Sequence, residues 1–305
     1  MGLSLLGGDA RETILEEVES TETEDGLRLS RGRGCLVGWV RTEPNVDLEG
    51  ETLRLYKQVL RSVRGLTLCR MWNSVPRINE EGPGGLENYR AFCRGRSIAF
   101  ESVFGPDFAR SLPASTAVGT LESGLTVAFL AGPPTARHFE NPAQVPAYEY
   151  PPEHGPRPPS FARATVVERG GRMDVFISGT SAITGHATVA PHNTADQLRC
   201  TLENLRLISR ECGFGDRLAA APGSTRHFKV YLRNPGDYSA TAGQMEREIL
   251  VPGDRVTDVY KRQPSGTGSS GPVPRRETIP IDPPGPRRSQ RPSPRRHPFA
   301  RCPHG

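Results

Sequence analysis

Apolar positions along this chain follow two periods, and the changes from one to the other mark out its elements. Cys35-Leu-Val-Gly-Trp-Val40 is a continuous apolar run of strand length, and order is expected to begin beside it at Gly34. Over residues 51–64, Leu53, Tyr56, Leu60 and Val63 recur at steps of three and four, a one-faced helix that Gly65 stops. Residues 66–72 read as a strand. After Gly85, the positions Leu86, Tyr89, Cys93, Phe100 and Phe104 share a helical face. The strand-like runs 116–121 and 125–130 flank Glu-Ser-Gly and read as a hairpin.

The second half echoes the first. The runs 161–167 and 173–178 flank Arg-Gly-Gly as another hairpin. Thr194 and Gln197 form a capping-box pattern, and Leu198, Leu202, Leu205, Ile208 and Cys212 then share a helical face. Residues 228–233 read as a strand and 237–250 as a weaker helix. Strands plus two helices in each half predict an α+β fold with mixed sheets packed by helices. Val256-Thr257 opens an extended segment, but Gly, Ser and Pro soon follow it. A last C-terminal strand is therefore expected to be missing.

Composition divides the chain further. Residues 1–30 are polar and acidic, a lead-in expected to lie outside the core. Residues 31–131 form the N-terminal half. Residues 132–160 are a Pro/Tyr-rich loop, and a loop that long inside a compact body points to function. Residues 161–257 form the C-terminal half. Residues 258–305 are expected to be a disordered basic tail. Residues 261–305 alone hold 11 Pro and 10 Lys/Arg against Glu277 and Asp282, a net charge of +8, whereas the whole chain carries +5. The body is thus mildly acidic, which argues against a nucleic-acid partner. So abrupt a shift to Arg, Pro, Gly and Ser reads as the product of a frameshift.

Several classes are set aside. No apolar run is long enough to cross a membrane, and Leu3, Leu5 and Leu6 are too few for a signal segment. The 6 cysteines are scattered without a C-x-x-C pair, which suits reduced thiols in a cytoplasmic protein. The histidines show no metal spacing, His186 and His192 being six apart on a loop. No metal and no cofactor are expected, and a monomer is favoured. No standard catalytic signature is present.

The remaining chemistry is cationic and aromatic. Arg157, Arg163, Lys229 and Arg233 are candidate carboxylate ligands, and Arg is the geometrically suited one. Arg163 and Lys229 fall within strands, where a solvent-facing position is the plain alternative. Tyr148 and Tyr150, two apart, point the same way if extended. Ser178-Gly-Thr180 opens a small-residue loop that either cradles an anion or makes a tight turn.

Four ordered segments then resemble the chorismatase family: Met71-Trp-Asn-Ser-Val-Pro-Arg-Ile-Asn79 with residues 85–96, Glu140-Asn-Pro-Ala-Gln-Val-Pro-Ala-Tyr-Glu-Tyr-Pro151 with residues 155–163, Phe176-Ile-Ser-Gly-Thr-Ser-Ala-Ile-Thr-Gly-His186, and Lys229-Val-Tyr-Leu-Arg233. The likeness covers residues 34–257. It implies a fold of two similar YjgF-like halves and a bacterial enzyme of secondary metabolism. Such an enzyme hydrolyses chorismate to pyruvate and a dihydroxycyclohexadiene carboxylate or a hydroxybenzoate, without a cofactor. By motif match, Tyr148, Tyr150, Arg157, Ser160 and Arg163 are expected to bind this dianion, with Lys229 and Arg233 beside them. The family's proton donor is a glutamate on a final strand with a Cys-Arg-x-x-Leu-Leu-Val-Glu-like pattern. Nothing after Thr257 matches it, so the resemblance implies either an impaired enzyme or a chorismate-binding pseudoenzyme.

Overall fold

A computed structural model of the chain describes residues 4–8, 13–15, 17–44, 47–169, 171–221 and 223–260. The expected tail lies outside these residues beyond position 260. Chain order gives β1 (Ser4–Gly8), β2 (Ser20–Glu24), β3 (Leu27–Gly32), β4 (Cys35–Arg41), α1 (Leu48–Ser62), β5 (Thr67–Pro76), α2 (Asn88–Phe104), β6 (Ala114–Thr120) and β7 (Thr126–Gly132). It continues with β8 (Arg137–Phe139), β9 (Ala164–Arg169), β10 (Arg172–Ile177), β11 (Ile183–Thr184), β12 (Ala187–Thr188), α3 (Thr194–Glu211), β13 (His227–Leu232), α4 (Tyr238–Glu248) and β14 (Arg255–Tyr260).

The larger sheet runs β2-β3-β4-β7-β5-β6, antiparallel except where β5 lies parallel to β6. One of its faces packs against α1 and α2. Leu55, Tyr56, Val59, Phe92 and Phe100 from the helices meet Leu29, Leu36, Met71 and Phe129 from the strands in the main core. Asp47 caps α1 by accepting from the Glu49 and Gly50 amides, so the helix starts before the apolar stripe does. On another side, Cys35, Cys69 and Leu130 pack with Val167 of β9, with Trp72 and Phe176 alongside.

The second half holds β10-β9-β8 and the sheet β1-β14-β13. Ile208 of α3 and Cys212 at its C-terminal cap pack on Ala164 and Val166 of β9. Leu202 of α3 and Met245 of α4 pack with Phe228 and Val230 of β13. No helix among the described residues is long and apolar enough to cross a membrane.

Four expectations change. β6 and β7 do not pair with each other, because β5 lies between them. Their short turn reports proximity in the chain, whereas pairing follows burial of both faces. The N-cap of α3 is Asn193, which accepts from the Asp196 amide. Thr194 instead donates to Asp237, and Gln197 donates to the Ala190 carbonyl. The lead-in does not stay outside the fold: β2 and β3 extend the large sheet, and Leu27 and Leu29 are buried. Last, the C-terminal strand is present through residue 260. β14 runs parallel to β13 and antiparallel to β1, and these neighbours offer it a ladder on both sides. The hairpin β9–β10 forms as its turn residues imply.

Candidate functional site

The Pro-rich segment is ordered by short local turns. After β8 it forms single helical turns at Ala147–Glu149 and Pro152–His154. Prolines favour such turns because they restrict φ before folding. They place the Tyr150 hydroxyl where it accepts from Arg163 Nη2 at 3.0 Å. The same nitrogen donates to the Val145 carbonyl at 3.1 Å. Arg163 sits between β8 and β9, its backbone amide donating to the Phe139 carbonyl. Its guanidinium lies 5.8 Å from the Tyr150 ring and 5.2 Å from the Phe161 ring. It is buried, and its Nε has no hydrogen-bond partner. Ser160 is also fully buried, with its hydroxyl unpartnered.

Glu140 faces Arg163, with 3.9 Å between Oε2 and Nε. That separation is too long for a hydrogen bond, and neither atom has another partner. Burial lifts the Glu140 carboxyl to about 7 in spite of the nearby cation. Burial, with Glu140 and Glu149 nearby, also raises the Tyr148 phenol.

A second buried arginine was not foreseen. Arg96 of α2 is 3% exposed. Its Nη1 donates to Ser115 Oγ at 3.1 Å, while Nε and Nη2 have no partner. The rings of Tyr56 and Phe100 flank it at 5.3 and 5.8 Å. Asn73 accepts from the Tyr56 hydroxyl and donates to Ser115 Oγ, which fixes the oxygen that Arg96 uses. Tyr89, partly buried against the main core, stacks on Phe92, and burial holds its phenol well above the ordinary value. The signal was in the helical pattern: position 96 falls on the stripe 89, 93, 100, where a charge is out of place.

Other expected residues lie elsewhere or have other work. Arg157 pairs with Glu101 of α2 at 2.8 Å in a half-exposed ion pair, apart from the Arg163 contacts. The Ser178–Thr180 loop serves as a tie through its first two residues. The Ser178 and Gly179 amides are spent on the Arg163 and Ser115 carbonyls. The Ser178 hydroxyl accepts from the Ser115 amide and donates to the Ala162 carbonyl. Lys229 lies 5.9 Å over the Trp72 ring, and Arg233 is exposed just past β13.

Two hollows suit a dianion poorly. One, of about 350 Å³ between α3 and α4, contains Asp237 and no Arg or Lys. The other, of about 450 Å³, holds Arg199 and Arg206, but both pair with acidic side chains. Beside Tyr150, His154 and His186 come together with Glu153 although 32 residues separate the histidines.

The sequence also has relatives with named activities. Residues 14–131 match the family model for chorismatases of the FkbO/Hyg5-like type, N-terminal part. A chorismatase of Streptomyces hygroscopicus is 38% identical over 223 residues, which are 70% of this chain and 64% of that protein. A chorismatase of Streptomyces rapamycinicus is 35% identical over 249 residues, 77% of this chain and 74% of that one. A 3-hydroxybenzoate synthase of Streptomyces hygroscopicus is 40% identical over 194 residues, 61% of this chain and 56% of that protein. A crystal structure of a chorismatase superposes with a TM-score of 0.72 at 30% identity, covering 80% of this chain and 75% of that one. The chain thus spans somewhat under two thirds of two of these relatives. With three quarters of a third one matched and the fold shared, the chain belongs to the chorismatase family.

Proposed function

We propose that the chain binds chorismate between Arg96 and Arg163 and releases pyruvate from it. The observation that carries this reading is the pair of buried guanidinium groups with N–H donors that no protein atom accepts. Arg96 has no ion pair among the described residues. A buried, uncompensated cation is costly, and a carboxylate ligand removes that cost. Chorismate carries two carboxylates, one for each arginine, and Tyr89, Tyr148 and Tyr150 offer phenols to the ring oxygens.

The reaction needs a proton on the methylene carbon of the enolpyruvyl group. The resulting oxocarbenium ion takes up water, and the hemiketal collapses to pyruvate and the ring alcohol. Glu140 is a partly buried carboxyl beside Arg163, and burial raises it to about 7, so a protonated fraction persists near neutral pH. We assign it the role of general acid in this chain. Asp258 is also buried, and burial raises its carboxyl, but it pairs in register with Val230, which packs toward α3 and α4.

One observation favours a second reading, binding without turnover: residues after 257 do not follow the family's acid-bearing pattern. The two-half YjgF-like arrangement, a monomeric state and independence from cofactors belong to our reading as well. The test is chorismate-dependent thermal stabilisation together with pyruvate release by the purified chain. Arg96→Met should raise the melting temperature in buffer, because it removes an uncompensated buried charge, and should abolish stabilisation by chorismate. Stabilisation by chorismate without pyruvate selects the second reading. Stabilisation that survives in Arg96→Met defeats both.

A further inference from the structure

The geometry points to a divalent transition-metal site formed by His154, His186 and Glu153, which binds Zn²⁺ beside the Tyr150 ring. Nε2 of His154 and Nδ1 of His186 are 3.0 Å apart. Oε1 of Glu153 lies 3.7 Å from the first and 3.6 Å from the second. Ligand bonds of about 2.0–2.1 Å at tetrahedral angles put neighbouring donor atoms roughly 3.4 Å apart. The three separations here bracket that value, so small side-chain rotations suffice. Two imidazole nitrogens and one carboxylate oxygen suit Zn²⁺, and a fourth position stays open to water.

The backbone holds the donors in place beforehand. The Gly185 amide donates to the Ala143 carbonyl and its carbonyl accepts from the Val145 amide, which pins the turn bearing His186. Pro151 and Pro152 stiffen the turn bearing Glu153 and His154, and Arg90 Nη2 donates to the Glu153 carbonyl. The Tyr150 ring contacts both imidazoles, with centroids 4.9 and 6.2 Å away. In the metal-free state the imidazoles share one N–H. Binding requires that the donor ring shift that proton to its outer nitrogen, so both facing lone pairs reach the metal and no proton need be lost. Bound metal would tie the Pro-rich turn to the β11–β12 turn. The site does not depend on the substrate proposed above, because metal binding is read without chorismate.

The experiment is calorimetric titration of the full chain with Zn²⁺ in metal-free buffer, with Co²⁺ absorption as a spectroscopic readout. His297, Cys302 and His304 could bind metal independently, so a variant with all three changed to Ala is the control. Expected is one tight event per chain, weakened roughly 100-fold in His154→Ala and in His186→Ala and kept in the control. Loss of an outer-shell partner alone costs about 10–100-fold, and a direct ligand should cost at least as much. The tetrahedral Co²⁺ spectrum should vanish with either histidine. Both side chains are partly exposed, and metal-free melting temperatures verify that the variants fold; the Gln replacements serve if an Ala variant does not. Unchanged affinity in either histidine variant, or loss of the event in the control, overturns the site.

Discussion

The Glu140 carboxyl is the residue where burial and charge oppose each other most directly. Arg163 favours the carboxylate, yet burial dominates and lifts the carboxyl to about 7 from an ordinary 4.5. Its folded pKa is raised, so the folded state holds a proton that the unfolded state has released. The stability this proton confers is present at low pH and is lost as pH rises through 7. Between pH 5 and 8 the loss should be roughly 2–3 kcal/mol. Glu140→Gln should flatten that part of the stability curve and, if Glu140 is the general acid, should lower pyruvate release by about 10²–10⁴-fold. Denaturant unfolding at pH 5 and pH 8 checks the first outcome, and a pyruvate assay checks the second. An equally steep loss in the variant would place the titrating group elsewhere. Glu140 opens a segment that resembles the family, but the sequence held no sign of its environment. Its neighbour Arg163 lies 23 positions away and meets it only because β8 and β9 pair.

Among the elements, the crossing of α1 and α2 sets where Arg96 can stand. A Cβ on Gly95 would lie 2.3 Å from the Glu49 carbonyl oxygen and 3.0 Å from the Thr52 Cβ. The first is backbone within a helix and cannot turn aside. Gly95→Ala should therefore force the helices apart and cost about 1–3 kcal/mol, the penalty of an overpacked core. The Arg96 guanidinium should move with α2, so chorismate stabilisation should weaken in step. Thermal unfolding with and without chorismate measures both effects, and an Ala variant as stable as the parent would show that the helices give way freely. The helices themselves were legible as stripes, since burial on one side leaves a period in the sequence. Their contact was not, because Gly95 reads only as a poor helix former until another backbone is seen beside it. The pairing of β5 between β6 and β7 was hidden for the same reason.

Across the whole molecule, the two proposed arginine ligands come from different halves, α2 and the β8–β9 region. Ser178 joins those halves. Its hydroxyl takes the Ser115 amide at 2.7 Å and gives its own proton to the Ala162 carbonyl. The Ala114 amide adds a parallel link to Thr165 Oγ1 at 2.8 Å. Ser178→Ala leaves a buried amide and a buried carbonyl short of partners, at a cost of about 1–3 kcal/mol. The variant should also bind chorismate more weakly, although Ser178 itself contacts no ligand in our reading. Denaturant titration monitored by Trp39 and Trp72 fluorescence would show the loss, and a variant with unchanged midpoint and chorismate stabilisation would remove Ser178 from the seam.

The sequence by itself determined what depends on neighbours along the chain. Helical stripes, alternating strands, glycine stops and the β9–β10 turn all follow from local sterics and one-sided burial, and the ordered family segments carried the kinship. The tertiary structure alone decided what depends on distant partners. It set β5 between β6 and β7 and drew the acidic lead-in onto the large sheet, since β3 carries two buried leucines. It gave β14 neighbours on both sides, although the residues after it read as strand-breaking. It turned the Ser178–Thr180 loop into a tie and gave Arg157 to Glu101. Above all, it buried Arg96 with two idle N–H donors, because whether a charge is compensated depends on the atoms around it and not on the residues beside it in sequence.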